Sequence, residues 1–242
     1  MSLFFAIAKD IAVPHDETER HGRRYLMAFA SREAADEWWR QVSDASSGKS
    51  ETTIKRIEPQ FYTYDSSRYE ISGTVLDINA APESRTKVMF TRLPERDSGN
   101  LCFIPFKSIT DHESPGSFFI RSKVEPHIYW HEMSNGKIAA SSKKRSKFLI
   151  RIDPPVGRSI MIGKDDILIS PIRDSGLFVH SNIGDGGLRL TRNGLSWKFK
   201  DFKSRFVSYH PGLKAAGTSD VGNEVQIHAV QLGLGEEWEL VH

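Results

Sequence analysis

The chain has 242 residues, 38% hydrophobic and 26% charged, with 33 basic against 31 acidic side chains and a net charge of +2. Its length fits one large or two modest domains with a well-buried core. The charge balance excludes a global field that would draw the molecule onto nucleic acid or an acidic membrane, so polyanion binding would need a local patch.

In chain order, residues 4–13 read as a strand, followed by a charged loop over 14–22, and residues 24–29 read as a second strand. The start, Leu3 to Ala8, is apolar but is cut off by Lys9 and Asp10. Without a basic lead or a small-residue cleavage site it does not read as a signal peptide. No apolar run approaches the ~18 residues of a membrane span. The expected location is the cytoplasm, with unconventional secretion left open.

A helix is predicted next. Ser31 suits an N-cap, Glu33 favours the positive end of the helix dipole, and Ala35, Trp38, Trp39 and Val42 recur at the spacing of an apolar face. Asp36, Glu37, Arg40 and Gln41 are expected to face water. The paired tryptophans read as an anchor onto a sheet. Strand patterns resume around Ile54 to Tyr64 and continue over 69–78, 86–93 and 101–106. The single Cys102 excludes an internal disulfide and, amid apolar neighbours, reads as a packing residue. Residues 1–112 are thus expected to form an α+β unit containing one amphipathic helix. A polar Pro/Gly segment, 110–116, marks the boundary with residues 113–242.

The second part repeats one pattern three times. Each pass has three short strands separated by turns, then a strand opened by a large aromatic. The fourth strands open at Phe148, Trp197 and Trp238, and the third strands hold Ile138, Leu188 and Ile227. Recurrence in fixed order at a period of roughly 40 to 50 residues is the mark of a repeat architecture. Gly136, Gly186-Gly187 and Gly222 precede the third strands, where a tight turn needs positive φ. The three aromatics are expected to converge on a shared core.

This pattern resembles a β-trefoil. The closing segments Leu195-Ser196-Trp197 and Glu237-Trp238 are similar to the Gln-x-Trp ends of repeats in ricin-B-type lectins, although the glutamine is absent and the first repeat has Phe148 in place of tryptophan. The resemblance covers about half the chain. It implies a mainly β protein with a C-terminal trefoil-like domain that binds carbohydrate without catalysis. A sugar site requires an aromatic face against the pyranose ring and polar groups for its hydroxyls. The residues between second and third strands offer these: Tyr129, Trp130, His131 and Asn135 in the first repeat, His180, Asn182 and Asp185 in the second, and Asp220, Asn223 and His228 in the third. For Tyr129 and Trp130, strand alternation requires one to point inward.

Alternatives stay open. The basic run Lys143, Lys144, Arg145 and Lys147 reads as a solvated hairpin tip, or as a contact for a protein partner in a scaffold or protease-inhibitor-like trefoil. It lacks interleaved aromatics, which argues against nucleic acid. His127 and His131 share a strand face but lack a third ligand, so no metal or other cofactor is expected. No P-loop, dinucleotide-binding glycine pattern or nucleophile elbow occurs. An enzyme with its site at the domain junction is the less favoured reading.

Overall fold

The computed structural model describes residues 3–11, 24–46, 54–66, 86–93, 109–208 and 224–242. The expected strands over 69–78 and 101–106, with Cys102, lie outside them. The chain divides into two compact units, Met1–Asp111 and His112–His242. It is mainly β, with one α-helix among the described residues. None of their helices is long and apolar enough to cross a membrane.

The first unit holds strands β1 (Phe4–Asp10) and β2 (Arg24–Phe29), helix α1 (Arg32–Ser46), and strands β3 (Lys55–Glu58), β4 (Phe61–Tyr64) and β5 (Val88–Leu93). The sheet order is β3-β4-β1-β2-β5, antiparallel except where β1 runs parallel to β4. The helix starts where the sequence places it: the Ala34 amide donates to the Ser31 hydroxyl at 3.2 Å, satisfying one of the amides left over in a first turn. Ala34, Ala35, Trp38 and Val42 pack on Ala6, Ala8, Met27, Phe29 and Tyr62 of the sheet. Trp38 is the centre of that face, with the rings of Phe29 and Tyr62 each 5.6 Å away.

One expectation for this unit is overturned. Asp36 does not face water but is buried, and its carboxylate accepts from the Arg56 guanidinium at 2.7 Å and from Arg32 at 3.3 Å. Arg56, itself almost fully enclosed, also reaches Asp111 at 2.8 Å. The helical period placed Asp36 beside solvent, but a strand arginine from outside the helix closes over it. Burial pushes the Asp36 carboxyl upward, while Arg56 and Arg32 oppose the shift. Burial also raises the Tyr62 hydroxyl, which lies beside the same arginine.

The second unit begins with β6 (Glu113–Ser114), β7 (Gly116–Ser122), β8 (Tyr129–Glu132), β9 (Ile138–Ser141), β10 (Lys147–Ile152) and β11 (Ser159–Ile160). It continues through β12 (Asp166–Pro171), β13 (Phe178–Ser181), β14 (Leu188–Thr191) and β15 (Trp197–Lys198). After a short 3-10 turn at Phe199–Lys203 come β16 (Phe206–Val207), β17 (Glu224–Gln226), β18 (His228–Ala229) and β19 (Trp238–Val241). Eight strands make a curled sheet ordered β15-β12-β10-β7-β8-β9-β17, with β19 returning to β7. That return sets Leu240 opposite Ile120, and a further bridge joins Phe206 to Glu236. The expected strand over 225–228 is split: β17 pairs with β9 and β18 with β16.

Alternation along these strands sends every second side chain inward. Phe118, Ile120, Phe148, Ile150, Ile167, Ile169 and Leu240 turn in, whereas Phe119, Arg121, Lys147, Leu149 and Glu239 do not. Phe148, Trp197 and Trp238 lie in one core, as expected, but they are joined through intermediaries. The Trp130 ring lies 6.1 Å from Phe148, 5.9 Å from Trp238 and 5.1 Å from Phe206, which in turn lies 5.1 Å from Trp197. The Trp197 indole N–H donates to the Val179 carbonyl and that of Trp238 to the Phe206 carbonyl.

The third strands also meet. The Ile227 amide donates to the Ile138 carbonyl at 2.9 Å, Leu188 to Ile227 at 2.7 Å, and Leu190 to Gly136 at 2.8 Å. Ile138, Leu188 and Ile227 are all fully buried. Two of the expected turn glycines, Gly136 and Gly186, have φ of 76° and 72°, a region open to glycine at little cost. Gly222 lies outside the described residues.

Removing the Asp36 carboxylate takes from the buried Arg56 its closest partner and leaves it Asp111, which costs about 1.5–3 kcal/mol. Asp36→Ala is therefore expected to lower the urea midpoint of the full chain, and Asp36→Ala combined with Arg56→Met to recover part of the loss. An unchanged midpoint in the single variant contradicts the buried ion pair.

Candidate functional site

The residues expected to bind a ligand in the first repeat separate into two groups. Trp130 has 0% exposure and packs among Phe148, Phe202, Phe206 and Trp238. Its expected role as a ligand platform is thereby corrected: no ring face is open to a sugar. Tyr129, one residue earlier on β8, points the other way. It is half-buried and edge-on to Phe119 at 6.3 Å, with Arg121 of β7 opposite it in the ladder. Arg121 donates through Nε to Glu239 at 2.9 Å.

His131 and Asn135 carry structural bonds. Nδ1 of His131 is 3.2 Å from the Ser146 hydroxyl, which also accepts the Glu132 amide at 2.9 Å, while the Ser146 amide donates to the Trp130 carbonyl. Ser146 thus fastens the segment before β10 to β8. The exposed Asn135 accepts the Lys137 amide through Oδ1 at 3.1 Å, an Asx turn that shapes the β8–β9 connection.

In the second repeat the loop between β13 and β14 is built by its own polar groups. The Asp185 oxygen Oδ1 accepts the Gly187 amide at 2.9 Å and the Asn182 side-chain amide at 3.0 Å. Its Oδ2 takes part in neither bond, and Asp185 is exposed. The turn bonds, first the Gly187 amide and then Asn182, hold the Asp185 carboxyl below its ordinary range. His180 lies on β13 opposite Arg189, with a buried Nδ1 that has no hydrogen-bond partner among the described residues.

The structure joins this loop to one residue of the third set. Nδ1 of His228 is 3.0 Å from the Asp185 carbonyl, so that nitrogen carries the proton and donates. With only 8% exposure, His228 supports the loop from beneath, and its expected role as a ligand-facing group is corrected. Burial arises because β18 bridges to Gly187. Asp220 and Asn223 lie outside the described residues.

Folding adds what the sequence pattern left out. The basic run contains no aromatic, yet the Arg145 guanidinium sits 4.5 Å from the Phe119 ring centre and 5.6 Å from that of Tyr129, and the Lys147 ammonium 5.4 Å from Phe119. Lys144 is paired with Glu224 at 2.9 Å, and Lys143 is exposed. Phe119 was not among the expected site residues. Its signal was the doublet Phe118-Phe119 in a strand, of which only one ring can turn inward.

Among the described residues no group of three potential metal ligands occurs. The chain matches no protein-family model, no curated protein and no solved structure.

A depressed carboxyl stabilises the folded state above its unfolded value and loses that contribution as pH falls through the folded one. Carbon-detected NMR titration should thus place the Asp185 midpoint below the ordinary 3.8, and Asn182→Ala should move it upward. A midpoint at or above the ordinary value contradicts the turn geometry.

Proposed function

We propose that the His112–His242 unit is a β-trefoil that recognises carbohydrate through its loops and performs no chemistry on it. The observation carrying this reading is the meeting of the three third strands. Ile138, Leu188 and Ile227, from the three sequence repeats, are linked by backbone hydrogen bonds and buried together. The order of the longer strands supports it further: the first and fourth strands of successive repeats, β7, β10, β12 and β15, lie side by side, and the last strand returns to the first.

The loop between β13 and β14 supplies the recognition chemistry. A carboxylate and an amide fixed by their own turn present acceptor and donor without the cost of ordering them on binding. Vicinal hydroxyls of a sugar match such a pair, because each hydroxyl can donate and accept. A fold of this kind hosts many functions, so the strand arrangement carries the trefoil part of the reading and the loop its carbohydrate part.

A second reading has one observation in its favour. Ile183, at the tip of the same loop, is 98% exposed, and an apolar side chain so placed suits insertion into a protein partner. Either way the recognition is non-covalent.

A glycan array probed with the full chain is expected to yield saccharide binding, and Asp185→Asn to weaken it about tenfold or more, since a charged acceptor becomes a neutral one. Circular dichroism should be unchanged. Silence across a broad array contradicts carbohydrate recognition. Capture of one protein, lost in Ile183→Ser, would turn the conclusion to the second reading.

A further inference from the structure

We infer that the outer face of β7 and β8 binds the anionic group of an acidic saccharide at the pair Arg145 and Lys147, over the rings of Phe119 and Tyr129. This rests on the carbohydrate reading and adds to it a ligand class and a site away from the Asn182–Asp185 loop.

The site is built from four side chains on three chain segments. Alternation leaves Phe119 of β7 and Tyr129 of β8 on the outside of the sheet, perpendicular to one another with ring centres 6.3 Å apart. Arg145 lies over both rings, 4.5 Å from Phe119 and 5.6 Å from Tyr129. Lys147, whose backbone is opposite Phe119 in the β7–β10 ladder, places its ammonium 5.4 Å from the same ring. A guanidinium held against an aromatic face keeps its N–H fork directed away from the ring, in the geometry that grips a carboxylate or sulfate through two parallel bonds.

Charge pairing separates these two cations from three of their neighbours, although the exposed Lys143 of the same run also has no carboxylate partner among the described residues. Around them Arg121 is neutralised by Glu239, Lys123 by Glu237 and Lys144 by Glu224. Neither Arg145 nor Lys147 has a carboxylate partner among the described residues. Among the described residues the nearby acidic groups are thus taken by the neighbours, which leaves this pair for an outside anion.

The same carboxylates choose between kinds of anion. A nucleic acid backbone binds by neutralising phosphates along a track of free cations. Here Glu224 and Glu239 interrupt any such track. A saccharide carrying one carboxylate or sulfate needs only a fork, an ammonium and an apolar edge, which are the groups present.

The test uses the intact chain and four probes in isothermal titration: trigalacturonate for the carboxylate, a heparin-derived hexasaccharide for sulfate, a neutral cello-oligosaccharide, and an oligothymidylate of matched charge. One or both acidic saccharides should bind more tightly than the neutral one and the oligothymidylate. Arg145→Ala should weaken that binding about tenfold or more, and Arg145→Lys, which keeps the charge but loses the fork, should recover only part. Arg192→Ala, on the connection after β14, should leave it unchanged.

Tight binding that Arg145→Ala leaves intact overturns this site while leaving carbohydrate recognition standing. Equal affinity for the neutral sugar overturns the selection for acid and again spares the broader reading. An oligothymidylate bound more tightly, and lost in Arg145→Ala, assigns the face to nucleic acid instead. Failure of every saccharide overturns both proposals.

Discussion

The aromatic cluster around Trp130 is the constraint on which the second unit depends. Trp130 comes from β8, Phe148 from β10, Trp197 from β15, Phe202 from the 3-10 turn, Phe206 from β16 and Trp238 from β19. Segments spread over more than a hundred positions meet in this core. Each such ring buries ~150 to 250 Å², and perpendicular or tilted contacts near 5 to 6 Å add their own attraction. The Trp130 indole nitrogen has no hydrogen-bond partner among the described residues, so packing holds the ring. Trp197 and Trp238, in contrast, are pinned by indole donation to backbone carbonyls.

That core determines what is left outside. With Trp130 and Phe118 committed inward, pleating forces Tyr129 and Phe119 outward, and the connection from β9 to β10 lays Arg145 across them. The loop between β13 and β14 is fixed from below by β18, through the bridge from Gly187 to His228 and the hydrogen bond from His228 to the Asp185 carbonyl. Both candidate surfaces are thus consequences of how the interior closes. The first unit solves its own interior differently, around Trp38 and a buried Arg56–Asp36 pair.

Much of the strand layout was legible because short alternating runs and positive-φ glycines leave local signals. The helix from Arg32 was readable from its cap and apolar spacing, and the gathering of Phe148, Trp197 and Trp238 from their recurrence. What escaped were the pairings made at long range. Asp36 looked solvent-facing because nothing within its helix announces Arg56. For Trp130 and Tyr129, alternation gave two possible facings, and only the neighbouring aromatics decide between them. His228 reads as a ligand-facing group in the sequence, and only the bridge of β18 to Gly187 places it beneath the loop. The Arg145 site was invisible as a motif because its aromatics lie far from the basic run in sequence, on β7 and β8.

Native-state hydrogen exchange of the tryptophan indole protons tests the central claim most directly. If one interior encloses Trp130, Trp197 and Trp238, their N–H groups exchange only when the whole unit opens, with a common protection that falls together as denaturant is added. Fast exchange at any one of the three, independent of denaturant, would show a ring lying outside the shared interior and contradict the account.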